Sequence, residues 1–148
     1  MCVFEIRSLK VADARAIAAW RYPDEYSTYD VGEVVTSSRG FWAVTNEDEL
    51  VGYCCFGAEA RVPGADEEEG TLDVGYGMRP DLVGHGHGRE FVAAILEFAS
   101  SEFGAQRLRL LILDWNQRSR KVAQALGFEE QGIVRSDEGD FLVLVRAG

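Results

Sequence analysis

The sequence TLDVGYGMRPDLVGHGHGREF, residues 71–91, predicts a strand, a glycine-rich turn and the start of a helix. Larger apolar side chains alternate with small or charged ones in its first half, as on a strand with two different faces, until Pro80 ends the pattern. In the second half glycine recurs at every second position, at Gly84, Gly86 and Gly88. Because these residues lack side chains and precede a helix, their backbone N–H groups are open to a ligand. This arrangement is typical of a phosphate-binding turn.

The segment that follows extends the stretch into a β-α-β unit. Apolar residues at helical spacing from Arg89 predict a helix that ends near Gly104, and a β-rich run begins at Arg107. Two strands joined through one helix in this way run parallel in one sheet. The glycine turn then lies at the carboxyl end of the first strand, where open sheets bind ligands.

The rest of the chain predicts further strands and helices around the same sheet. In chain order these are a strand at about 2–8, a helix opened by Asp13, a hairpin with strands at 41–45 and 50–58, a helix from Asn116 to Gly127, and strands at 132–135 and 141–145. We therefore predict an α/β (α+β) fold with a single mixed central sheet flanked by helices. A length of 148 residues fits one domain, residues 1–148.

Composition limits the classes of partner. The 25 acidic residues outnumber the 15 basic ones, which gives a net charge of −10 and argues against nucleic acid. A cationic substrate is favoured instead. No stretch has the roughly 20 apolar residues of a membrane span, and the N-terminus lacks a signal-peptide core, so we predict a cytoplasmic protein. Its three cysteines, including the adjacent Cys54 and Cys55, are predicted to be reduced.

Two common nucleotide-binding motifs do not match the turn. A dinucleotide site requires Gly-x-Gly-x-x-Gly, and a nucleoside triphosphate site requires Gly-Lys-Ser/Thr. The two histidines of the turn, His85 and His87, have no third ligand nearby in sequence, whereas catalytic zinc needs three protein ligands. We predict no metal site.

A second segment, NQRSRKVAQALGF at residues 116–128, completes a recognisable pair of motifs. Together, the two segments resemble the GNAT superfamily of acetyl-CoA-dependent N-acetyltransferases, and the resemblance covers about residues 70–130. Asn116-x-x-Ser119 and Gly75-Tyr76 look most like the branch of ribosomal-protein N-terminal (alanine) acetyltransferases. The resemblance implies the GNAT acyltransferase fold, acetyl-CoA as co-substrate, and direct transfer to a primary amine within a ternary complex. The acceptor would be a small-molecule amine or a peptide N-terminus, and the protein a monomer or homodimer.

The resemblance also implies a coenzyme-binding set, in which main-chain N–H groups hold the pyrophosphate and the Met78 N–H faces the developing oxyanion. Val83 stands where the family usually has glutamine or arginine. Basic residues near the second motif, including Arg118 and Lys121, could meet coenzyme phosphates. The predicted coenzyme-binding residues are Met78, Val83, Gly84, His85, Gly86, His87, Gly88, Arg89, Asn116, Ser119 and Arg120.

Thioester aminolysis needs a proton acceptor, because an amine attacks only in its neutral form and a lysine-type amine has a pKa of about 10.4. Asp73 is the first candidate for this base; the alternative is an ordinary solvent-facing carboxylate on a strand. Glu25 and Asp30 are second choices. Many family members protonate the thiolate with a tyrosine, whose position here is Ala123. Ser119 is the predicted substitute for this acid.

The segment RYPDEYSTYD, residues 21–30, is too irregular for a strand and rich in aromatic residues. We predict that Tyr22, Glu25, Tyr26 and Tyr29 line the acceptor site; the alternative is a loop that packs aromatic rings onto the core. Two other functions remain open for the chain. One is a non-catalytic acyl-CoA-binding or regulatory domain, and the other is an interaction protein that uses the acidic run 66–69.

Overall fold

The computed structural model describes residues 3–31, 40–105 and 107–148, and within them seven strands form one sheet flanked by three α-helices. This architecture confirms the predicted fold class. The strands are β1 (Phe4–Ser8), β2 (Phe41–Asn46), β3 (Glu49–Phe56), β4 (Thr71–Met78), β5 (Arg107–Leu113), β6 (Glu129–Ser136) and β7 (Gly139–Ala147). The helices are α1 (Val11–Ala19), α2 (Gly88–Phe103) and α3 (Gln117–Ala125).

The sheet divides into two arms at its centre. Its strand order is β1-β2-β3-β4-β5-β7-β6, and all neighbours are antiparallel except β4 and β5. The predicted parallel pair is thereby confirmed. β4 and β5 pair only over residues 71–73 and 107–109, whereas β4 continues along β3 and β5 along β7. The two strands therefore separate beyond Asp73 and leave a V-shaped gap in the sheet.

Helix α2 anchors both arms because its apolar face packs across the sheet. Its buried residues recur at helical spacing and share one core cluster with β4, β5 and β7; they are Phe91, Val92, Ile95, Leu96 and Ala99. Fully burying one large apolar side chain stabilises a fold by about 1.5–3 kcal/mol. The helix ends at Gly104, which adopts a left-handed conformation with a φ of 60°, as the sequence predicts.

Helix α1 covers the opposite face of the sheet with a smaller cluster around Ile17. The prediction that Asp13 opens this helix is wrong by one turn, since the helix begins at Val11 and Lys10 precedes it. Asp13 instead accepts a hydrogen bond of 2.8 Å from the Lys10 N–H and pairs with Arg7 at 2.6 Å. The carboxylate therefore satisfies the helix start from inside the first turn and ties it to β1.

Several strand boundaries differ from the sequence prediction. β3 ends at Phe56 and not at 58, because Gly57 has a φ of 75° and starts a short 3-10 helix, Gly57–Ala60. β6 and β7 are both longer than predicted, since polar pairs such as Arg135 and Asp140 extend their ladder to a tight turn. The first strand begins at Phe4, and Cys2 lies outside the described residues.

Within the described ranges, none of the helices combines the length and apolar character needed to cross a membrane.

Candidate active site

A cavity of about 100 Å³ occupies the gap between β4 and β5. Side chains on a strand alternate between its faces, so its lining comes from both sides of the sheet. Tyr76 and Ile112 lie on the α2 side, and Gly75 and Leu111 on the α1 side. The cavity therefore joins the two faces. Its lining residues are Tyr29, Ala60, Val74, Gly75, Tyr76, Leu110, Leu111, Ile112, Asn116 and Ser119.

The glycine turn lies at the end of β4 and leads into α2. Gly84 and Gly86 both have a φ of 84°, a conformation that other residues rarely adopt, and a Cβ at Gly86 would meet nothing within 4 Å. No backbone carbonyl of the described residues accepts a hydrogen bond from the N–H of Gly84, His85 or Gly86. The first N–H groups of α2 likewise lack partners within the helix. The turn thus presents a row of exposed donors beside a helix N-terminus, which suits an anionic phosphate.

The guanidinium of Arg118, on the first turn of α3, lies beside this turn. It lies 3.6 Å from the position that a Cβ on Gly84 would occupy, and it also stacks over the Tyr26 ring at 5.0 Å. The structure does not support the predicted coenzyme contact of Arg120. That side chain is turned towards the Asp114 carbonyl at 2.8 Å and the Glu130 carboxylate at 3.1 Å.

The tyrosine loop, residues 20–31, crosses the open end of the V-shaped gap. The Tyr22 hydroxyl donates to the Met78 carbonyl of β4 at 2.5 Å, and the Tyr29 hydroxyl accepts from Asn116 Nδ2 at 2.9 Å. Trp20 and Val31 at its ends pack against the α1-side cluster. The loop is therefore fixed to both arms of the sheet and roofs the gap between them.

Backbone alternation gives the direction of the Met78 peptide groups. The N–H of Arg79 donates to Val51 of β3 at 2.8 Å, so the peptide groups of its neighbour Met78 point to the other edge of β4. The Met78 carbonyl does meet Tyr22 on that edge. The N–H of Met78 therefore faces the gap, in agreement with its predicted orientation.

Asn116 organises the hydroxyl groups at this end of the cavity. Its Oδ1 accepts from the Ser119 N–H at 3.3 Å, which caps α3, and its Nδ2 donates to both the Tyr29 and Ser119 hydroxyls. Tyr76 lines the cavity as well, and burial raises its pKa to about 12. Burial raises the pKa of Tyr29 as well, against the opposing effect of the Asn116 hydrogen bond. These hydroxyls remain protonated at neutral pH.

Asp73 does not occupy the predicted position of a base. It is only 2% exposed, and its carboxylate binds Arg109 through Nε at 2.5 Å and Nη2 at 3.1 Å and Arg61 at 2.9 Å. Its oxygens are turned to these guanidiniums, so an amine in the cavity could not hydrogen-bond to them. The alternative of a solvent-facing carboxylate is wrong too. Asp73 forms a buried ion-pair cluster at the point where β4 and β5 separate.

Comparison with known proteins identifies the family. Residues 4–129 match the family model for the acetyltransferase (GNAT) domain. The chain belongs to the GNAT acetyltransferase family. The match extends well beyond residues 70–130 on which the sequence resemblance rests, and it confirms that resemblance.

Similar proteins include other members of the GNAT family. An uncharacterised N-acetyltransferase of Bacillus licheniformis is 25% identical over 95 residues, which cover 64% of this chain and 50% of that protein. The chain thus matches half the length of this relative.

Two solved structures share the GNAT fold with this chain at 18% identity. Aminoglycoside acetyltransferase AAC(6')-Ib, in complex with coenzyme A and kanamycin, has a TM-score of 0.79 over 98% of this chain and 95% of its own. The ribosomal-protein-S5-alanine acetyltransferase of Vibrio fischeri has a TM-score of 0.65, with 99% and 96% covered. The likeness in fold therefore includes the predicted branch.

Ala123 of this GNAT domain stands where the resemblance places a tyrosine acid, and it contributes nothing to the cavity. It is fully buried on α3 in the main core cluster. Among the carboxylates predicted as second choices for a base, Glu25 is exposed and is not a lining residue. Asp30 is half-buried, directly follows Tyr29, and accepts from the Tyr22 N–H at 2.8 Å.

Several site residues were not predicted from the sequence. Ala60 and Tyr76 line the cavity, and Arg61 and Arg109 hold Asp73. Only Tyr76 carried a usable signal, because it belongs to the Gly-Tyr pair of the first motif. Among the described residues, no group of His, Cys, Asp and Glu side chains is arranged to hold a metal ion.

The thiols of Cys54 and Cys55 are free and buried. Burial raises the pKa of Cys55 to about 12 and that of Cys54 well above its ordinary value. We expect neither residue of the folded protein to react with iodoacetamide at about pH 8 within an hour, since about one thiol in 10⁴ would then be ionised at Cys55. Mass spectrometry after labelling measures this, with the urea-denatured protein as the reactive control. Rapid labelling of either residue in the folded protein would contradict the assignment.

Proposed function

We propose that this chain transfers the acetyl group of acetyl-CoA to a primary amine by direct attack within a ternary complex. The observation that carries the proposal is the continuity of the site. Arg118, at the start of α3, lies beside Gly84 of the glycine turn, and its neighbour Ser119 lines the cavity, whose lining comes from both faces of the sheet. A thioester can therefore enter from one face and an amine from the other, so that both meet between β4 and β5.

The coenzyme would bind at this site through main-chain donors. Its pyrophosphate fits the N–H groups of Gly84, His85 and Gly86 and those at the start of α2, with the Arg118 guanidinium beside them. The pantetheine arm would follow the open edge of β4, where the Met78 N–H and the Asn116 amide are suitable partners. Met78 and the glycine turn act through the backbone, so the side chains of His85 and His87 contribute little.

Acetyl transfer requires three groups from the protein. A main-chain N–H in the gap stabilises the oxyanion, for which we assign Met78. A carboxylate takes a proton from the attacking amine, for which we assign Asp30, the residue that directly follows the lining residue Tyr29. Finally, the cluster of hydroxyls around Asn116, which includes Ser119, is available to the departing sulfur. The buried thiols of Cys54 and Cys55 are unsuited to act as nucleophiles, which agrees with direct transfer.

The acceptor is a cationic amine whose surface is apolar or can pack against aromatic rings. The net charge of −10 favours approach of a cation, and we assign Tyr22, Tyr26 and Tyr29 of the tyrosine loop to the acceptor site because Tyr29 lines the cavity. Small-molecule amines and peptide N-termini both meet this description. Kanamycin, which is bound to the AAC(6')-Ib neighbour, is one such polyamine.

Amine-dependent release of coenzyme A thiol tests the proposal. We expect the purified protein to release thiol from acetyl-CoA when kanamycin, spermidine or a short peptide with a free N-terminus is added, and to release little without amine. Mass spectrometry should show one added acetyl group on the amine. If acetyl-CoA binds but no amine in the panel is acetylated, a non-catalytic acyl-CoA-binding domain is the better description, which the alanine at position 123 would favour.

A further inference from the structure

Three hydroxyl groups border the cavity: those of Tyr29, Tyr76 and Ser119. They differ in their contacts with Asn116. Its Nδ2 donates to the Tyr29 hydroxyl at 2.9 Å and to the Ser119 hydroxyl at 3.3 Å, whereas the Tyr76 hydroxyl is not one of its partners. Tyr29 belongs to the tyrosine loop, and not to α3 or β4.

The cap of α3 fixes the polarity of the bond between Asn116 and Tyr29. Because Asn116 Oδ1 accepts from the Ser119 N–H at 3.3 Å, the amide cannot be flipped without losing the cap. Nδ2 must therefore point to Tyr29, and an amide nitrogen only donates. The Tyr29 oxygen is then the acceptor, and its own O–H proton has to point elsewhere. Within the described residues no group accepts that proton, while the ring borders the cavity.

The ring of Tyr29 is held firmly enough to keep this geometry. It packs against Trp115 with 6.1 Å between ring centroids and against Tyr26 with 6.3 Å. Trp115 adjoins Asn116 on the turn between β5 and α3, so the ring and its hydrogen-bond partner are fixed to the same turn. The hydroxyl is thus positioned by the packing of its ring and by the hydrogen bond from Asn116.

We infer that the Tyr29 hydroxyl is the proton donor for the departing coenzyme A thiolate, aligned by Asn116. This inference rests on the proposed acetyl transfer. When the C–S bond of the tetrahedral adduct breaks, its electron pair stays on sulfur, and the Tyr29 proton passes to that sulfur. The Asn116 Nδ2–H then stabilises the phenolate. The proton that the amine gives up restores Tyr29 through solvent, so the net products are the acetylated amine and the neutral thiol.

Tyr29 lies at a different place in the fold from the tyrosine acid that the family resemblance implies. A tyrosine at 123 would reach the sulfur from α3, whereas Tyr29 reaches it from the loop that roofs the gap. A phenol is also a much stronger acid than the aliphatic hydroxyl of Ser119. Tyr29 therefore takes the role of proton donor that was predicted for Ser119, and both residues belong to the same cluster of hydroxyls.

The first test needs no acceptor amine. Coenzyme A is bound to the protein and its thiol is titrated by the ultraviolet absorbance of the thiolate, with desulfo-coenzyme A as a reference that cancels the protein's own thiols. A donor to sulfur stabilises the thiolate, so Tyr29→Phe should raise the pKa of the bound thiol by about one to two units. Tyr26→Phe, in the same loop and against the same Trp115 ring, should leave that pKa unchanged. An unchanged pKa in Tyr29→Phe would overturn the inference.

The second test measures transfer to the most active amine of the panel. We expect Tyr29→Phe to lower kcat by about 10²-fold or more, with acetyl-CoA affinity within about twofold of wild type and a reduced solvent deuterium isotope effect. Ser119→Ala should lower kcat by less. If Ser119→Ala is the slower variant and Tyr29→Phe retains kcat, Ser119 is the donor. A wild-type protein that binds no acetyl-CoA, in contrast, would refute the proposed function itself.

Discussion

Replacement of Gly86 by aspartate is expected to weaken acetyl-CoA binding by more than 100-fold while the protein still folds. A Cβ at this position meets nothing within 4 Å, so the side chain fits, but its carboxylate would stand among the N–H groups proposed to hold the pyrophosphate. Two like charges about 4 Å apart repel by about 4 kcal/mol at an effective dielectric constant of about 20. That energy alone exceeds the roughly 2.7 kcal/mol that corresponds to a 100-fold change.

The matched control for this variant is Gly104→Asp. Gly104 also has a left-handed φ, of 60°, and open space around its Cβ position, but it lies at the other end of α2. Both variants therefore carry a similar conformational cost of about 1–3 kcal/mol, and only one places a charge in the turn. Isothermal titration calorimetry should show near-normal acetyl-CoA affinity for Gly104→Asp. Equal affinity of the two variants would mean that the turn does not hold the coenzyme phosphates.

The second large effect is expected at Asp73, where Asp73→Asn should lower the free energy of unfolding by about 3–5 kcal/mol. The asparagine keeps the shape of the side chain but removes the negative charge between two guanidiniums, of which Arg109 is 5% exposed. Arg109 would keep only the half-exposed Glu68 carboxylate, at 3.4 Å, and a buried charge that loses its buried partner is strongly destabilising. For a chain of this size the melting midpoint should fall by roughly 10 °C.

Urea denaturation measures this change, and Glu67→Gln is its control. Glu67 pairs with the same Arg61 at 3.7 Å but is 76% exposed, so its loss should cost at most about 1 kcal/mol. Below its melting midpoint, Asp73→Asn should keep its kcat for amine acetylation within a few-fold of wild type. A variant with wild-type stability and no transfer would instead restore Asp73 as the base.

The sequence predicted the parts of the fold that depend on local pattern. The alternation from Leu72 to Met78, the glycine turn and the helix ending at Gly104 follow from backbone conformations that only a few residue types allow. Strand ends were less predictable, since β6 and β7 are extended by paired polar residues. Such pairing depends on a partner strand and leaves no periodic signal in either segment.

The candidate site was predictable where the backbone is the binding group and unpredictable where side chains from distant segments meet. The glycine turn needed only local sequence. Arg109 lies 36 residues from Asp73, and Asn116 lies 87 residues from Tyr29, so neither contact could be inferred from spacing. Arg118 and Arg120 show the same limit on a smaller scale. Both are on one helix turn, and only the tertiary packing decides which of them faces the glycine turn.

A thermal-shift titration with acetyl-CoA, beside NAD and ATP at equal concentrations, tests the central claim most directly. A ligand at 100 times its dissociation constant adds about 2.7 kcal/mol of stability, which should raise the melting midpoint of a domain of this size by roughly 5–10 °C. We predict that rise for acetyl-CoA alone. No rise with acetyl-CoA, or an equal rise with NAD, would contradict the assignment of the turn between Val83 and Arg89 as a coenzyme A site.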